Sequence, residues 1–346
     1  MKKRPIIGLL CITLVNQPEY AELGLDLEEK IQDLGIDVIA FTPYGIQWER
    51  NIVSGKLLDN GQWIRGELPL PQAIYNRLYG THPNTISKLA TYTGDHRIFN
   101  WTNRLDKYLV YQSLSEIHQQ ILPLTLEYTR ENLISSLNDF DQVVLKPKQG
   151  HYGLNIYRIH KDKTNRYHVY KRKIKQPFLK LSQNQLLDFI EQIQTSERQY
   201  LIQQFIEPTQ WNGRYFDIRV LVQKDHIGMW QVTAMISRVA RKNHFATNDT
   251  YKLELPEILL AERNGNAILT RLQVISIHVA QILEQKLAHF GELSIDFIID
   301  RQENLWLIEV NGKPRKDLFA IIDNNEVIEK VYLRPLEYAK YLAERE

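Results

Sequence analysis

From Ile6 to Val15 the chain is almost wholly apolar, the pattern of a strand buried on both faces. Leu23, Leu27, Ile31 and Leu34 then recur at helical spacing, which predicts an amphipathic helix over Glu19–Leu34 stopped by Gly35. A second apolar run, Val38–Phe41, completes a βαβ unit. Turn signals dominate Trp48–Asn76 (Ser54-Gly55, Asn60-Gly61, Pro69 to Pro71), and only Ala73–Tyr75 reads as a short strand there. A helix is expected from about Asn103 to His118, with Leu105, Tyr108 and Leu109 facing inward and Pro123 ending the connection.

Downstream, Val143–Ile159 and Tyr167–Phe178 read as strands and hairpins, Gln183–Thr195 as a helix and Gln199–Phe205 as a strand. Beyond Gly213 the alternating segments Phe216–Val222 and Gly228–Ser237 predict an antiparallel sheet. A long helix, Ala267–Phe290, leads into paired strands, Glu292–Ile299 and Leu305–Glu309, joined by a turn over Asp300–Asn304. A last helix runs from Asn325 to Ala343. There is no internal repeat or low-complexity linker, and 346 residues allow two or three domains. The expected divisions are 1–100, 101–206 and 207–346.

Charge excludes little locally but much globally. With 43 Lys and Arg against 41 Asp and Glu, a net charge of +2 gives no whole-molecule field for nucleic acid or a membrane surface. The single cysteine, Cys11, excludes an intramolecular disulfide, a Cys-rich zinc site and a CxxC pair, and reads as a small buried side chain. Lys2 to Arg4 ahead of the first apolar run imitates a secretion signal, but no small-residue cleavage pattern follows. No apolar run approaches the roughly 18 residues of a bilayer span, so a soluble, cytoplasmic protein without membrane insertion is expected.

Four constellations carry candidate chemistry. Glu309 and Asn311, two apart on a strand, share a face, and the hairpin partner can bring Asp296 beside them. Such hard oxygen donors suit Mg²⁺, which takes one or two carboxylates and completes its shell with water and substrate phosphates. The plain alternative is a strand whose acids face solvent. Second, a strand from Val143 runs through Lys146 and Lys148 into a loop with Gly150 and Gly153, able to turn backbone N–H groups toward an anion. Its spacing is neither a Walker loop nor GxGxxG, and a glycine hairpin turn explains it equally well. Third, Tyr200–Glu207 is a strand ending in polar residues before Pro208, where Gln203 can read the edge of a planar heterocycle and Ile206 cover its face. An edge strand turning into a loop competes. Fourth, Asp217 and Arg219 share a strand face, as a structural ion pair or as a held arginine that clamps phosphate or carboxylate, with Arg238 and Arg241 placed to join.

Together with Lys107, these segments resemble an ATP-grasp enzyme in order and approximate spacing. The resemblance implies mixed α/β and α+β architecture: an N-terminal α/β domain of the preATP-grasp type and two α+β subdomains enclosing ATP. It implies phosphate contacts from Lys107 and Lys146, with Lys148, Gly150 and Gly153 in the phosphate loop and lid. Adenine contacts would come from Gln203, Gln204, Phe205 and Ile206, a ribose contact from Glu207, and Mg²⁺ ligation from Asp296, Glu309 and Asn311. Phe41 to Pro43, Ile74 to Arg77, Ile98 to Asn100, Leu122 to Thr125 and Trp306 to Pro314 narrow the resemblance to the YheC/YheD endospore coat-associated group, over nearly the whole chain.

The reaction so implied is phosphoryl transfer from ATP to a carboxylate, giving an acyl phosphate that an amine attacks, with Lys146, Arg219 and Arg238 as catalytic groups. Peptide or cell-envelope acids and amines, and spore coat proteins as partners in the mother cell, belong to the same expectation. An ATP-grasp kinase and a non-catalytic nucleotide-binding scaffold are the alternatives. Two departures matter. Amide-forming members carry an arginine two residues before the first metal aspartate, where this chain has Ser294, so Arg219 or Arg238 must replace it. After Thr247-Asn248, Asp249 to Lys252 stand where a Gly-Gly loop is usual. Arg158–Lys180, with nine basic residues against one acid, reads as a solvated hairpin face, and His151 is the one histidine beside a candidate loop.

Overall fold

Three sheets organise the chain in the computed structural model, which describes residues 4–12, 27–80, 82–150, 153–171, 173, 176–195 and 198–345. The first is built from β1 (Ile6–Leu10), α1 (Glu28–Asp33), β2 (Asp37–Gln47), β3 (Ile52–Asp59), β4 (Gln62–Pro69), β5 (Ala73–Asn76), α2 (Pro83–Thr93) and β6 (Ile98–Phe99). Its order is β4-β3-β2-β1-β5-β6. β1 pairs in parallel with β2 and β5, so the βαβ unit is present, and Cys11 is buried beside it. The start of the expected first helix and the Val15 end of the strand lie outside the described residues.

The β3–β4 hairpin replaces what reads in sequence as a run of turns. Its two-residue loop is Asn60-Gly61, both with positive φ (46° and 76°), the pairing a tight hairpin favours because both positions need left-handed backbone. β4 is largely exposed on both faces, so no apolar alternation announced it.

The central sheet, β11-β10-β9-β8-β12-β7, comprises α3 (Lys107–His118), β7 (Thr125–Glu127), α4 (Arg130–Phe140), β8 (Gln142–Pro147), β9 (Tyr157–Lys161), β10 (Tyr167–Tyr170), β11 (Leu179–Leu181), α5 (Gln183–Ile193) and β12 (Tyr200–Gln204). α3 starts later than its periodicity suggests because Asp106 caps it, accepting from the backbone N–H of Tyr108 and Leu109. That register turns Val110, Leu114 and His118 inward and leaves Leu109 49% exposed, reversing its expected role. α4 is an addition to the expected elements; Thr129 caps it and Leu133 and Leu137, one turn apart, are its buried pair.

The third sheet, β16-β15-β14-β17-β18 with β13 on β14, uses β13 (Gln210–Trp211), β14 (Arg214–Lys224), β15 (Trp230–Ala240), β16 (Thr250–Glu254), α6 (Pro256–Leu259), α7 (Gly265–Lys286), β17 (Glu292–Ile299), β18 (Leu305–Asn311) and α8 (Asn325–Glu344). Packing ignores chain order. α3 buries Val110 and Leu114 with α7 against this third sheet, and α8 crosses to pack Val331, Leu336 and Leu342 on the first. The central sheet keeps a core of its own with α4 and α5. A cleft therefore opens between the central and third sheets. α7, with a window of mean hydropathy 1.2, is long and apolar enough by composition to cross a membrane, contrary to the expectation that no such run exists. In the fold its Ile268, Leu272, Val279 and Leu283 are core residues.

Two buried side chains lock the first sheet to the third. Asn100 donates to the carbonyls of Glu292 (2.9 Å) and Gly312 (2.6 Å) and accepts from the N–H of Gly291 and Glu292. The fully buried Glu292 carboxylate accepts from Tyr75, from Arg77 (2.8 Å) and from Gln223 (3.0 Å), with Lys316 at 3.4 Å.

Candidate functional site

Cross-strand register puts the charged residues of the third sheet on one face. Arg219 on β14 lies opposite Asp296 on β17, Asp217 opposite Arg238 on β15, and Asp296 opposite Glu309 on β18. The Asp217–Arg219 pair expected along one strand is therefore replaced by two cross-strand pairs, because facing residues on neighbouring strands are closer than i and i+2 on one. Arg219 donates from Nε and Nη2 to the two oxygens of Asp296, both at 2.8 Å. Arg238 donates to Asp217 through Nε (2.9 Å) and Nη2, and Nη2 also reaches Asp296 at 2.8 Å. The Thr247 hydroxyl closes the network on Asp217. Burial pushes the Asp296 carboxyl up, but the two guanidiniums outweigh it and hold it below the usual carboxylate range. Arg241 does not join: it pairs with Asp249 at the surface.

Two lysines reach the same face, Lys146 from across the cleft and Lys107 from the start of α3. Lys146, near the end of β8, donates to Gln203 Oε1 (3.0 Å) and to the Ile308 carbonyl (3.3 Å), while Gln203 Nε2 donates to the Thr125 hydroxyl (3.0 Å). Lys107, the first residue of α3, donates to the Gly150 carbonyl (3.1 Å) and stands 3.2 Å from Glu309. Burial, reinforced by the Lys107 charge and opposed by Glu309, lowers Lys146 from 10.5 to about 8.

The cleft holds two adjoining cavities. One has apolar walls from Val144, Ile156, Phe205, Ile206, Ile298 and Ile308 and a charged end of Lys107, Lys146, Arg238, Asp296 and Glu309. The other is lined by Arg77, Arg219, Asn311, Lys313 and Arg315, and shares Arg238, Asn248 and Glu309 with the first. An apolar slot leading to cations, then to a second basic compartment, suits a nucleotide whose phosphates point at a second substrate.

Not every expected residue is there. Lys148 is bound to Glu127 at 2.7 Å, and Gly150 lines a separate cavity with Arg104 and Arg198. Gly153, with φ of 63°, abuts Asn248, where a Cβ would come within 2.8 Å. Gln204 reaches the slot but its Oε1 accepts from the Leu124 N–H at 3.4 Å. Glu207 lies between the Tyr215 hydroxyl and Arg301 instead of lining the slot. His151 lies outside the described residues. Sequence reasoning missed Phe245, which carries no motif, and used Thr247 only as a landmark; both close the slot from the loop after β15. It also missed Arg158: counted with a solvated hairpin face, it is 7% exposed and stacked over Tyr170 (4.3 Å) and the slot residue Phe205 (5.2 Å).

Magnesium was expected on Asp296, Glu309 and Asn311. Among the described residues no group of three or more His, Cys, Asp or Glu is disposed to hold a metal, and both Asp296 oxygens are on arginines. Glu309 and the Asn311 amide oxygen fit a hard cation that completes its shell with phosphate oxygens, while the buried Asn311 Nδ2, a donor with no partner among the described residues, suits a phosphate oxygen.

Because both amide ends of Gln203 are engaged with protein, Gln203→Ala should loosen Lys146 and weaken ATP and GTP analogues alike, by about three- to tenfold for one lost charge-assisted hydrogen bond. Competition titrations measure this; a change in adenine-over-guanine preference would restore a base-reading role.

The family model for YheC/D-like ATP-grasp proteins matches residues 95–342. The chain is 26% identical over 324 residues to the endospore coat-associated protein YheD of Bacillus subtilis, covering 88% of this chain and 70% of that one. It is 22% identical over 360 residues to YheC of the same organism, covering 97% and 95%. Among solved structures, D-alanyl-alanine synthetase A from Vibrio cholerae superposes with a TM-score of 0.55 at 14% identity, over 99% of this chain and 97% of that one. The ATP-grasp fold anticipated from the ordered lysines, arginines and acids is thus the fold observed. The chain belongs to the YheC/D-like ATP-grasp family.

Proposed function

We propose that the chain is an ATP- and Mg²⁺-dependent carboxylate–amine ligase working through an acyl phosphate, in the mother-cell cytoplasm at the forming spore coat. The observation that carries this is the convergence of two lysines and two arginines on the junction between an apolar slot and a second basic cavity. Adenine lies in the slot between Phe205, Ile206, Ile298 and Ile308, with Arg158 stacked behind Phe205. Lys107 and Lys146 neutralise the phosphates from the central side. The lobes are residues 101–206 and 207–346, with 1–100 bracing the second. Magnesium, when bound with the triphosphate on Glu309 and Asn311, supplies Lewis-acid neutralisation of the moving phosphoryl charge.

The acid substrate enters the second cavity, whose arginines face its carboxylate. Arg219 and Arg238 spend Nε and Nη2 on aspartates, and among the described residues nothing accepts from Nη1 of either. Those donors are fixed in place before substrate arrives, which is what stabilises oxygen charge developing during acyl transfer. The loop carrying Phe245 to Asn248, packed against Gly153, excludes water from an acyl phosphate. Similarity to relatives named for the endospore coat supports coat proteins as partners, with peptide or envelope acids and amines as the proposed substrates.

Hydroxylamine tests the reaction class directly. With ATP, Mg²⁺ and pools of peptide acids it should intercept the acyl phosphate as a hydroxamate, dependent on both ATP and acid. A stable phosphoester would point to a kinase, and no turnover with intact nucleotide binding to a scaffold.

A further inference from the structure

We infer that Asp296 is the anchor of an arginine pair, Arg219 and Arg238, and not a ligand of the nucleotide's magnesium, which Glu309 and Asn311 hold without it. The inference rests on the nucleotide-site reading above and concerns how this chain divides that site between metal and arginine. Three independent features support it.

Geometry comes first. Asp296 receives a side-on fork from Arg219, Nε to Oδ1 and Nη2 to Oδ2 at 2.8 Å each, and a third bond from Arg238 at 2.8 Å. This is the planar, bidentate match that makes Arg–carboxylate pairs strong and directional. Second, the residue is 2% exposed, and so are its surroundings: Arg219 is 6% and Arg238 7% exposed. Moving the carboxylate onto a divalent cation would strip Arg219 of its partner and leave a buried guanidinium beside a new double positive charge, an arrangement with a large desolvation penalty. Asp217 can compensate Arg238 alone, since its oxygens are taken by Arg238 and Thr247.

Third, the neighbouring positions show a division of labour. Glu309 has a side chain 25% exposed and, among the described residues, one ion pair, with Lys107 at 3.2 Å, so it can turn to a cation without orphaning an arginine. Asn311 lines the second cavity with Glu309 and can offer its amide oxygen to a cation, while its Nδ2, a buried donor with no partner among the described residues, is left for a phosphate oxygen. With serine at 294, β17 supplies no arginine to the second cavity. β14 supplies Arg219 instead, and a long side chain reaching from a neighbouring strand is held in place by the acid opposite it.

Manganese binding to the full chain, followed by the electron paramagnetic resonance of free Mn²⁺, tests this. Without nucleotide, wild type should bind no Mn²⁺ tighter than about 1 mM, since Glu309 and Asn311 alone are a weak site. With a non-hydrolysable ATP analogue, Mn²⁺ should bind; Glu309→Gln should weaken it by about 30-fold or more and Asp296→Asn by less than about threefold. An equal loss in both variants overturns the inference while leaving the nucleotide site intact. Analogue that binds without any Mn²⁺ uptake in wild type overturns the metal assignment, and no analogue binding overturns the nucleotide reading itself. A wild-type measurement removes dependence on variant folding: the side-chain Nε–H resonance of Arg219, hydrogen-bonded to Asp296, should persist when Mg²⁺ and the analogue are added. Its loss on saturation would mean that Asp296 has moved to the metal.

Discussion

Replacing Lys146 by Met should make the nucleotide-free protein more stable while removing its nucleotide binding. Lys146 is buried at a site where desolvation, the Lys107 charge and Glu309 leave its ammonium at about 8 in place of 10.5. An ammonium that ionises less readily when folded is a liability below that range. Between pH 8 and 10.5 the unfolded chain holds the extra proton, so wild-type stability rises with pH across this window. The shift sets the upper limit of the effect at about 3 kcal/mol, felt in full at pH 7. Urea unfolding of wild type and Lys146→Met at pH 7 and pH 10 should show the variant more stable at pH 7 and the gap closing by pH 10. Nucleotide affinity of wild type should fall as pH rises above about 8, where the folded lysine loses its charge. A variant less stable than wild type at pH 7 that still binds ATP would show Lys146 to be a structural cation.

Glu292→Ala should be among the most destabilising single substitutions in the chain. The carboxylate is wholly buried between the first and third sheets, and its removal strands Arg77 and Lys316 without their shared acid. Burial pushes the Glu292 carboxyl up, but Lys316, Arg77, Tyr75 and Gln223 together hold it below its ordinary value, so it stays ionised. Breaking one partner out of such a buried ionic cluster costs about 3–5 kcal/mol, visible as a lower urea midpoint at unchanged slope. Loss below about 1 kcal/mol would mean that water replaces the acid and that Asn100 and α8 packing join the sheets without it. Because Arg77 also lines the second cavity, the surviving folded fraction should bind acid substrates less well.

The sequence was most informative where chemistry had to interrupt apolar strands. Asp296, Glu309 and Asn311 stood out because β17 and β18 are otherwise core-like, and strand periodicity placed them correctly on one face. Periodicity carries no information on which arginine meets which aspartate, since that depends on the register of the β14–β15 hairpin and of β17, which lies far along the chain. Hence Asp217 and Arg219 read as one pair and form two. The β3–β4 hairpin escaped for a different reason. Asn60-Gly61 is a strong hairpin signal, but β4 is exposed on both sides, and without apolar alternation the turn was visible while the strands were not.

Packing across the chain was the least legible feature. Nothing in the apolar face of α3 distinguishes the central sheet, which follows it directly, from the third sheet, on which it packs. That placement matters for the site, because it sets Lys107 at the first turn of α3 within reach of Glu309 on β18. Gln203 illustrates the limit for side chains: a polar residue at a strand end offers an amide to a base or to a neighbour, and only the fold reveals Lys146 and Thr125 as the takers.

The most direct test of the nucleotide site is calorimetric titration of the full chain with a non-hydrolysable ATP analogue, in Mg²⁺ and in EDTA. The account predicts saturable one-to-one binding that Mg²⁺ strengthens and that Lys146→Met removes. Absence of binding under both conditions, with the protein folded, would contradict it.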